Sequence, residues 1–188
     1  TLGRLILAEK LPEKFKTNEL LHDSKYSLRK GNMYGLLEEV ARHDPKGYPV
    51  VVNHLKDLGN QYSYEEGFSF TLDDLHPLKE KRNELLKPYH AEARKIHDSH
   101  LSPEIKEEKV VDLYNKATKE LDTKLHEEYK KIGNNVFTMT STGARGSAAS
   151  FRQMNIAPML MKDALNRTIP IPITRSYSEG LDIGDYWT

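Results

Sequence analysis

Across the middle of the chain, apolar residues return every three or four positions, and this spacing predicts two long amphipathic helices. In the first, Leu78, Leu85, Tyr89 and Ile96 form one seam, Asp73 or Asp74 can cap the start, and Pro77 fits the first turn. Pro88 lies inside that helix and predicts a kink, because proline removes a backbone donor and crowds the preceding turn. Ser102-Pro103-Glu104 then reads as a fresh start, with Ser102 as N-cap and Glu104 facing the positive end of the helix dipole. The return helix puts Val110, Tyr114, Ala117, Leu121, Leu125, Tyr129 and Ile132 on one side. Lys130 and Lys131 fall in its last turn and Gly133 ends it. Two such helices joined by a short loop predict an antiparallel hairpin with densely charged outer faces.

The flanks are less regular. Residues 1–70 mix signals: a short apolar strand at Thr1–Leu7, and a helix carrying Leu28, Met33, Leu36, Leu37 and Val40 behind a Ser27 cap and ended by Pro45-Lys46-Gly47. A second helix is predicted from Val50 to Leu58 with Gly59 at its end. A strand with one buried face follows, where Phe68, Phe70 and Leu72 alternate with polar residues. Residues 134–188 predict an extended stretch at Val136–Met139, a helix from Ala148 to Met161 broken at Pro158, and an obligatorily extended Ile169-Pro170-Ile171-Pro172-Ile173. The expected fold class is α+β and α-rich. It comprises a small mixed α/β segment over 1–70, a projecting antiparallel helical hairpin over 71–133 and an irregular loop-and-strand segment over 134–188.

Composition narrows the function classes. Lys+Arg and Asp+Glu both total 28, so the net charge is 0 and bulk charge gives no case for nucleic-acid binding. The absence of cysteine excludes a disulfide framework, zinc–thiolate fingers and a cysteine nucleophile. No apolar run approaches the roughly 20 residues that span a bilayer. The chain opens at Thr1 without a methionine and stops beside Tyr186-Trp187, which reads as an excised segment of something larger.

Candidate chemistry is sparse. Arg145 stands between Gly143 and Gly146 in Gly-Ala-Arg-Gly-Ser, a bend poor in side chains whose N–H groups and guanidinium suit an anion. From these five residues alone a solvated surface turn is the stronger reading, and no Gly-Lys-Ser/Thr follows to make a Walker loop. Asp73 and Asp74, with Glu65 and Glu66 nearby, could suggest a metal site, but helix capping explains them more simply. His97, His100 and Asp98 have metal-pair spacing but sit at the hairpin tip with no further ligand in view. Met154, Met159, Leu160 and Met161 read as packing. No complete catalytic constellation is present.

Blocks spread over the whole chain carry more information through their order. They are Thr1–Ile6 with Leu11-Pro12, Leu55–Gly59 with Gly67–Asp74, Val110–Tyr114 with Ala117-Thr118, Thr142–Ser147, Phe151–Met154 and Ser176–Leu181. In this order they resemble the largest-subunit (β′) family of multisubunit DNA-directed RNA polymerases, from the end of the pore region through the funnel helices to just before the bridge helix. The resemblance implies that the hairpin rims the secondary channel through which nucleoside triphosphates arrive, and that transcript-cleavage and related factors dock there. It implies that Arg145 binds the triphosphate, supported by Gly143, Gly146, Ser147, Arg152, Gln153 and Met154.

Two departures stand out. Bacterial relatives continue with Ala-Gly-Met-Arg-Gly where this chain has Asn155-Ile156-Ala157-Pro158-Met159, and with Arg-Glu-Gly-Leu where it has Ser178-Glu179-Gly180-Leu181. Such divergence resembles a phage-encoded polymerase more than a bacterial housekeeping one. The family's metal-binding Asn-Ala-Asp-Phe-Asp-Gly-Asp motif does not occur here. Catalytic Mg²⁺ would therefore be held by residues outside this segment, which alone should not polymerise RNA. Implied partners are the remaining β′ sequence, β-like and other polymerase subunits, DNA and RNA, in the bacterial cytoplasm, of a phage-infected cell if the gene is the phage's, and with no membrane. Two rivals stand beside this: an independent helical-hairpin interaction module without a catalytic role, and a stand-alone nucleotide-binding enzyme.

Overall fold

The computed structural model describes residues 2–16 and 30–187. Its helices are α1 (Leu2–Glu9), α2 (Lys30–His43), α3 (Tyr48–Glu66), α4 (Lys79–His97), α5 (Pro103–Lys131), α6 (Asn135–Thr142), α7 (Ala148–Asn155) and α8 (Ile183–Tyr186). Short 3₁₀ turns lie at Glu13–Phe15, Leu72–Leu75 and Tyr177–Glu179. Among the described residues, β pairing is confined to two isolated antiparallel bridges, Met159 with Ile173 and Lys162 with Thr168. The chain is thus α-rich, and the β component is far smaller than the sequence pattern suggests.

The described residues form two compact units: those up to Ser69 together with Thr142–Arg145, and Phe70–Ser141 with the residues from Gly146 on. The first has a small core of Leu7, Ala8, Leu11, Leu36, Val40 and Val51. Here the expected strand at Thr1–Leu7 is helix over Leu2–Glu9 instead. Leu7 and Ala8 at its end are buried, with Leu11 just beyond it, while Leu2 and Leu5 are exposed. The helix holding Met33, Leu36, Leu37 and Val40 is present as α2; Thr1 and the proposed Ser27 cap and Leu28 lie outside the described residues. Gly59 does not end the next helix. That helix runs on to Gly67, whose φ of 60° suits a left-handed end and whose N–H donates to the Ser63 carbonyl.

The second unit contains the larger core. Leu86 of α4 packs with Tyr114, Ala117, Leu121, Leu125 and Tyr129 of α5 and with Val136, Phe151, Ile156, Ala157 and Met159 beyond it. The helices run antiparallel: Lys81 pairs with Glu128, the Tyr89 hydroxyl with Glu120, and His90 Nδ1 lies 3.0 Å from the Tyr114 hydroxyl. Ile132, read as part of the seam, is the exposed C-cap of α5. α4 continues unbroken through Pro88, which is exposed.

Two further strand expectations are corrected. Phe68, Phe70 and Leu72 are all exposed, and a 3₁₀ turn begins at Leu72 because Thr71 and Asp74 make a reciprocal capping box. Residues 136–139 are helical because Asn134 caps α6: its Oδ1 accepts the Phe137 N–H at 2.8 Å, and Asp74 Oδ1 accepts the Asn135 N–H at 3.0 Å. So Asp74 does cap, but across the chain rather than for α4, which begins at Lys79. Its two main-chain N–H bonds, from Thr71 first and Asn135 second, hold the Asp74 carboxyl below its usual range. The helix from Ala148 ends at Asn155, ahead of Pro158, and 169–173 is non-helical, pairing back through Met159 and Ile173.

Tyr129 joins these pieces. Its hydroxyl donates towards the Asn155 carbonyl at 2.9 Å and the His76 carbonyl at 3.2 Å, and accepts the Leu78 N–H at 3.2 Å. Burial pushes its phenol up to about 12, and its ring meets Phe151 edge-on at 4.9 Å. Tyr129→Phe should therefore destabilise the chain by about 1–3 kcal/mol in urea unfolding, because buried backbone groups lose a partner while the packing is kept. An unchanged midpoint would show that the hydroxyl is dispensable.

Candidate functional site

The Gly-Ala-Arg-Gly bend is a true left-handed feature. Gly143 and Gly146 have φ of 77° and 76°, and a Cβ on either would come within 3.0 Å of another side chain, Lys30 or Thr140 respectively. Arg145 between them is exposed and, among the described residues, forms no ion pair. Within the first unit, Thr142, Gly143 and Ala144 line a hollow of about 340 Å³ with Lys30, Met33, Tyr34 and Leu37. An exposed guanidinium and a lysine beside a backbone without side chains can receive an anion.

Of the supporting residues, Gly143 belongs to the first unit and Gly146, Ser147, Arg152, Gln153 and Met154 to the second. The Ser147 hydroxyl oxygen caps α7 by accepting the Ser150 N–H at 3.1 Å. Arg152 is half-buried and donates from Nη1 to Asp122 of α5 at 2.9 Å. Gln153 and Met154 are half-buried on the same helix. Beside this pair, His126 packs against Phe137 and Phe151, with ring centroids 5.3 and 5.7 Å away. Burial lowers its pKa; the Asp122 charge opposes that shift and Arg152 reinforces it. Asp122 Oδ1, His126 Nε2 and Arg152 Nε are buried and have no hydrogen-bond partner among the described residues.

Sequence reading missed Arg82, although it sits between the seam residues Leu78 and Leu85. It is only 4% exposed. Nη1 donates to the Ile156 carbonyl at 3.0 Å and to the Glu179 carboxylate, and Nη2 reaches the other Glu179 oxygen at 3.2 Å. Glu179 also accepts the Ser176 N–H at 2.9 Å and its hydroxyl at 2.8 Å, closing a capping box. Burial alone would raise the Glu179 carboxyl, but the bonds from Arg82 and Ser176 outweigh it and hold the group at about 2. The available signal was a charged residue at an apolar spacing; its acidic partner 97 positions away was not legible.

The other candidates resolve simply. His97 and Asp98 are both exposed, 3.4 Å apart at the hairpin tip. Among the described residues no group of three or more His, Asp or Glu could hold a metal ion. No described helix is long and apolar enough to cross a membrane. On the hairpin itself, His90, Ala93, Arg94, Lys106, Val110 and Tyr114 form a groove of about 460 Å³ walled by Pro170–Pro172.

The departure at 155–159 also has a physical account. Met159, where the family pattern carries its second glycine, has φ of 64° and is 1% exposed. The strain is held by its paired main-chain bonds with Ile173, at 2.9 and 3.0 Å, and by core packing.

Two outcomes follow from this geometry. Met159→Gly should unfold at higher denaturant than Met159→Ala, reversing the usual order, since both lose about 2–3 kcal/mol of packing and only glycine recovers about 1–2 kcal/mol of backbone strain. Equal or inverted midpoints would remove strain from the account. For Glu179, the folded-state value of about 2 lies below the ordinary 4.5, so its stabilisation is complete above pH 4.5 and is lost as pH falls from there towards 2. Stability measured across that window should fall less in Glu179→Gln than in the parent.

Comparison with known proteins bears on the family. A sequence model of the family described as RNA polymerase Rpb1, domain 4, matches residues 89–176. The β′ subunit of DNA-directed RNA polymerase from Streptomyces avermitilis is 27% identical over 192 residues, and that from Salinispora tropica is 29% identical over 196. Each alignment covers 100% of this chain but 14% of the relative's length. The β″ subunit from Rhodomonas salina is 32% identical over 142 residues, covering 72% of this chain and 11% of the relative. The chain belongs to the β′ family of multisubunit DNA-directed RNA polymerase subunits.

Proposed function

We propose that this chain works as part of a DNA-directed RNA polymerase, a nucleotidyltransferase, and that it lines the route by which nucleoside triphosphates reach the catalytic centre. The observation that carries this is the alignment of the whole chain, from end to end, with β′ subunits. On this reading residues 1–70 close the pore-like part, 71–133 form the funnel hairpin at the rim of the secondary channel, and 134–188 lead towards the bridge helix. The departures from the bacterial pattern favour a phage-encoded enzyme acting in the cytoplasm of an infected bacterium.

Arg145 is the residue for the triphosphate. When the RNA 3′ oxygen bonds to the α-phosphorus, the bond to the oxygen bridging the α- and β-phosphates breaks, and negative charge gathers on the departing pyrophosphate. A guanidinium already held beside the β- and γ-phosphates stabilises that charge without reorganising. Mg²⁺, which neutralises the phosphates in such a reaction, would be held by carboxylates elsewhere in the assembly. Arg152, tied to Asp122, steadies the helix that follows the bend. The hairpin groove with Arg94 and Lys106 offers transcript-cleavage and related factors a docking surface. Partners would be the rest of β′, β-like and other polymerase subunits, and the DNA and RNA they hold.

Arg145→Ala in the assembled polymerase should weaken nucleotide use by about 1.5–3 kcal/mol, the range for a charge-assisted contact. Single-turnover nucleotide addition at varied triphosphate concentration measures this, and an unchanged profile would take Arg145 out of the site. Affinity purification through this chain should bring down a β-like subunit; recovery of the chain alone or with unrelated proteins would favour an independent interaction module.

A further inference from the structure

We propose that Arg82 is a positioning residue for nucleotide addition: one buried guanidinium sets the helix bearing Arg152 against the turn Ser176–Glu179 and fixes both to the first hairpin helix. This rests on the polymerase reading given above. The geometry is specific. Ile156 is the C-cap of α7, so its carbonyl belongs to a helix end that lacks intrahelical donors, and Arg82 Nη1 supplies one at 3.0 Å. The same nitrogen and Nη2 hold both oxygens of Glu179. Nε and Nη2 reach Asn83 Oδ1, each at 3.2 Å, so every nitrogen of the fork is engaged. The Arg82 and Glu179 side chains are 5% and 8% exposed.

Two of the segments so joined, Phe151–Met154 and Ser176–Leu181, are those that mark the chain's family. Ser147 caps the near end of α7 directly after the Gly-Ala-Arg-Gly bend, so a helix loosened at Ile156 is loosened along the element that follows Arg145 in the chain. A buried ion pair is a poor source of stability, since an apolar pair of similar volume often stabilises as well or better. What the apolar pair cannot supply is direction: the planar fork accepts one arrangement of a carbonyl and a carboxylate, and greasy contacts accept many.

That contrast gives the test. The double variant Arg82→Met with Glu179→Leu, in the assembled polymerase, should melt near the parent: it leaves the Ile156 carbonyl and the Ser176 N–H without these partners, and it also removes the desolvation cost of the buried ion pair. Its half-saturating triphosphate concentration should rise about tenfold, because small misplacements of binding groups are expensive in rate and affinity. A double variant with normal stability and a normal nucleotide profile would overturn the proposal. Should the pair fail to assemble, Arg82→Lys keeps the charge and loses the fork; it should raise the half-saturating concentration in the same direction, and an unchanged value would be equally fatal. Arg145→Ala run alongside separates the two ideas. A normal Arg145→Ala enzyme with a defective Arg82 variant refutes the phosphate contact and supports the positioning role. The reverse result refutes Arg82 alone, and absence of any RNA synthesis by the parent assembly removes both.

Discussion

A guanidinium with almost no access to water has to find a partner for each of its N–H groups, and that requirement organises the second unit. Arg82 meets it with a helix-end carbonyl, a carboxylate and a neighbouring amide oxygen. The carbonyl and the carboxylate come from distant stretches of chain, so satisfying one charge forces separate backbones into one arrangement. Glu179 carries the complementary demand and meets it with Arg82 and with the Ser176 N–H and hydroxyl. The apolar core around Leu121, Leu125 and Phe151 provides the driving force for collapse, while the polar clamp selects which collapsed arrangement persists.

The same logic recurs at two neighbouring nodes. The Asp74 main-chain carbonyl accepts the side-chain amides of Asn134 and Asn155, both at 2.7 Å, while its carboxylate serves Thr71 and Asn135. The Tyr129 hydroxyl ties the carbonyls of His76 and Asn155 to the Leu78 N–H. These groups sit where loops meet helix ends, the places where backbone polar groups lack regular partners. Irregular segments thereby gain hydrogen-bond partners that their own backbones do not supply.

Much of the hairpin was readable from periodicity. Tyr114, Ala117, Leu121, Leu125 and Tyr129 fall on one face and are buried, and Ser102-Pro103-Glu104 opens the return helix. The strand expectations failed for a common reason. Short apolar runs such as Leu5–Leu7 and Val136–Met139 have no period of their own, and the choice between helix and strand was made by what lay around them. For the first it was a core that buries Leu7, Ala8 and Leu11 together; for the second, caps from Asn134 and Asp74. Gly59 misled because a glycine within a helix costs little when the flanking turns are good; the left-handed end went to Gly67.

Taken alone, then, the sequence determined the helical hairpin, the glycine bend around Arg145 and, through the order of its blocks, the family. Those features depend on neighbours within a few residues or on linear order, and both are written along the chain. Only the tertiary structure decided that Arg82 would be buried with Glu179, that Asp74 would cap a helix some sixty residues away, and that Met159 would hold a left-handed backbone in the core. Each of these joins residues far apart in sequence, where pattern carries no distance, and each is fixed by the need to pair a buried polar group or fill a packed space.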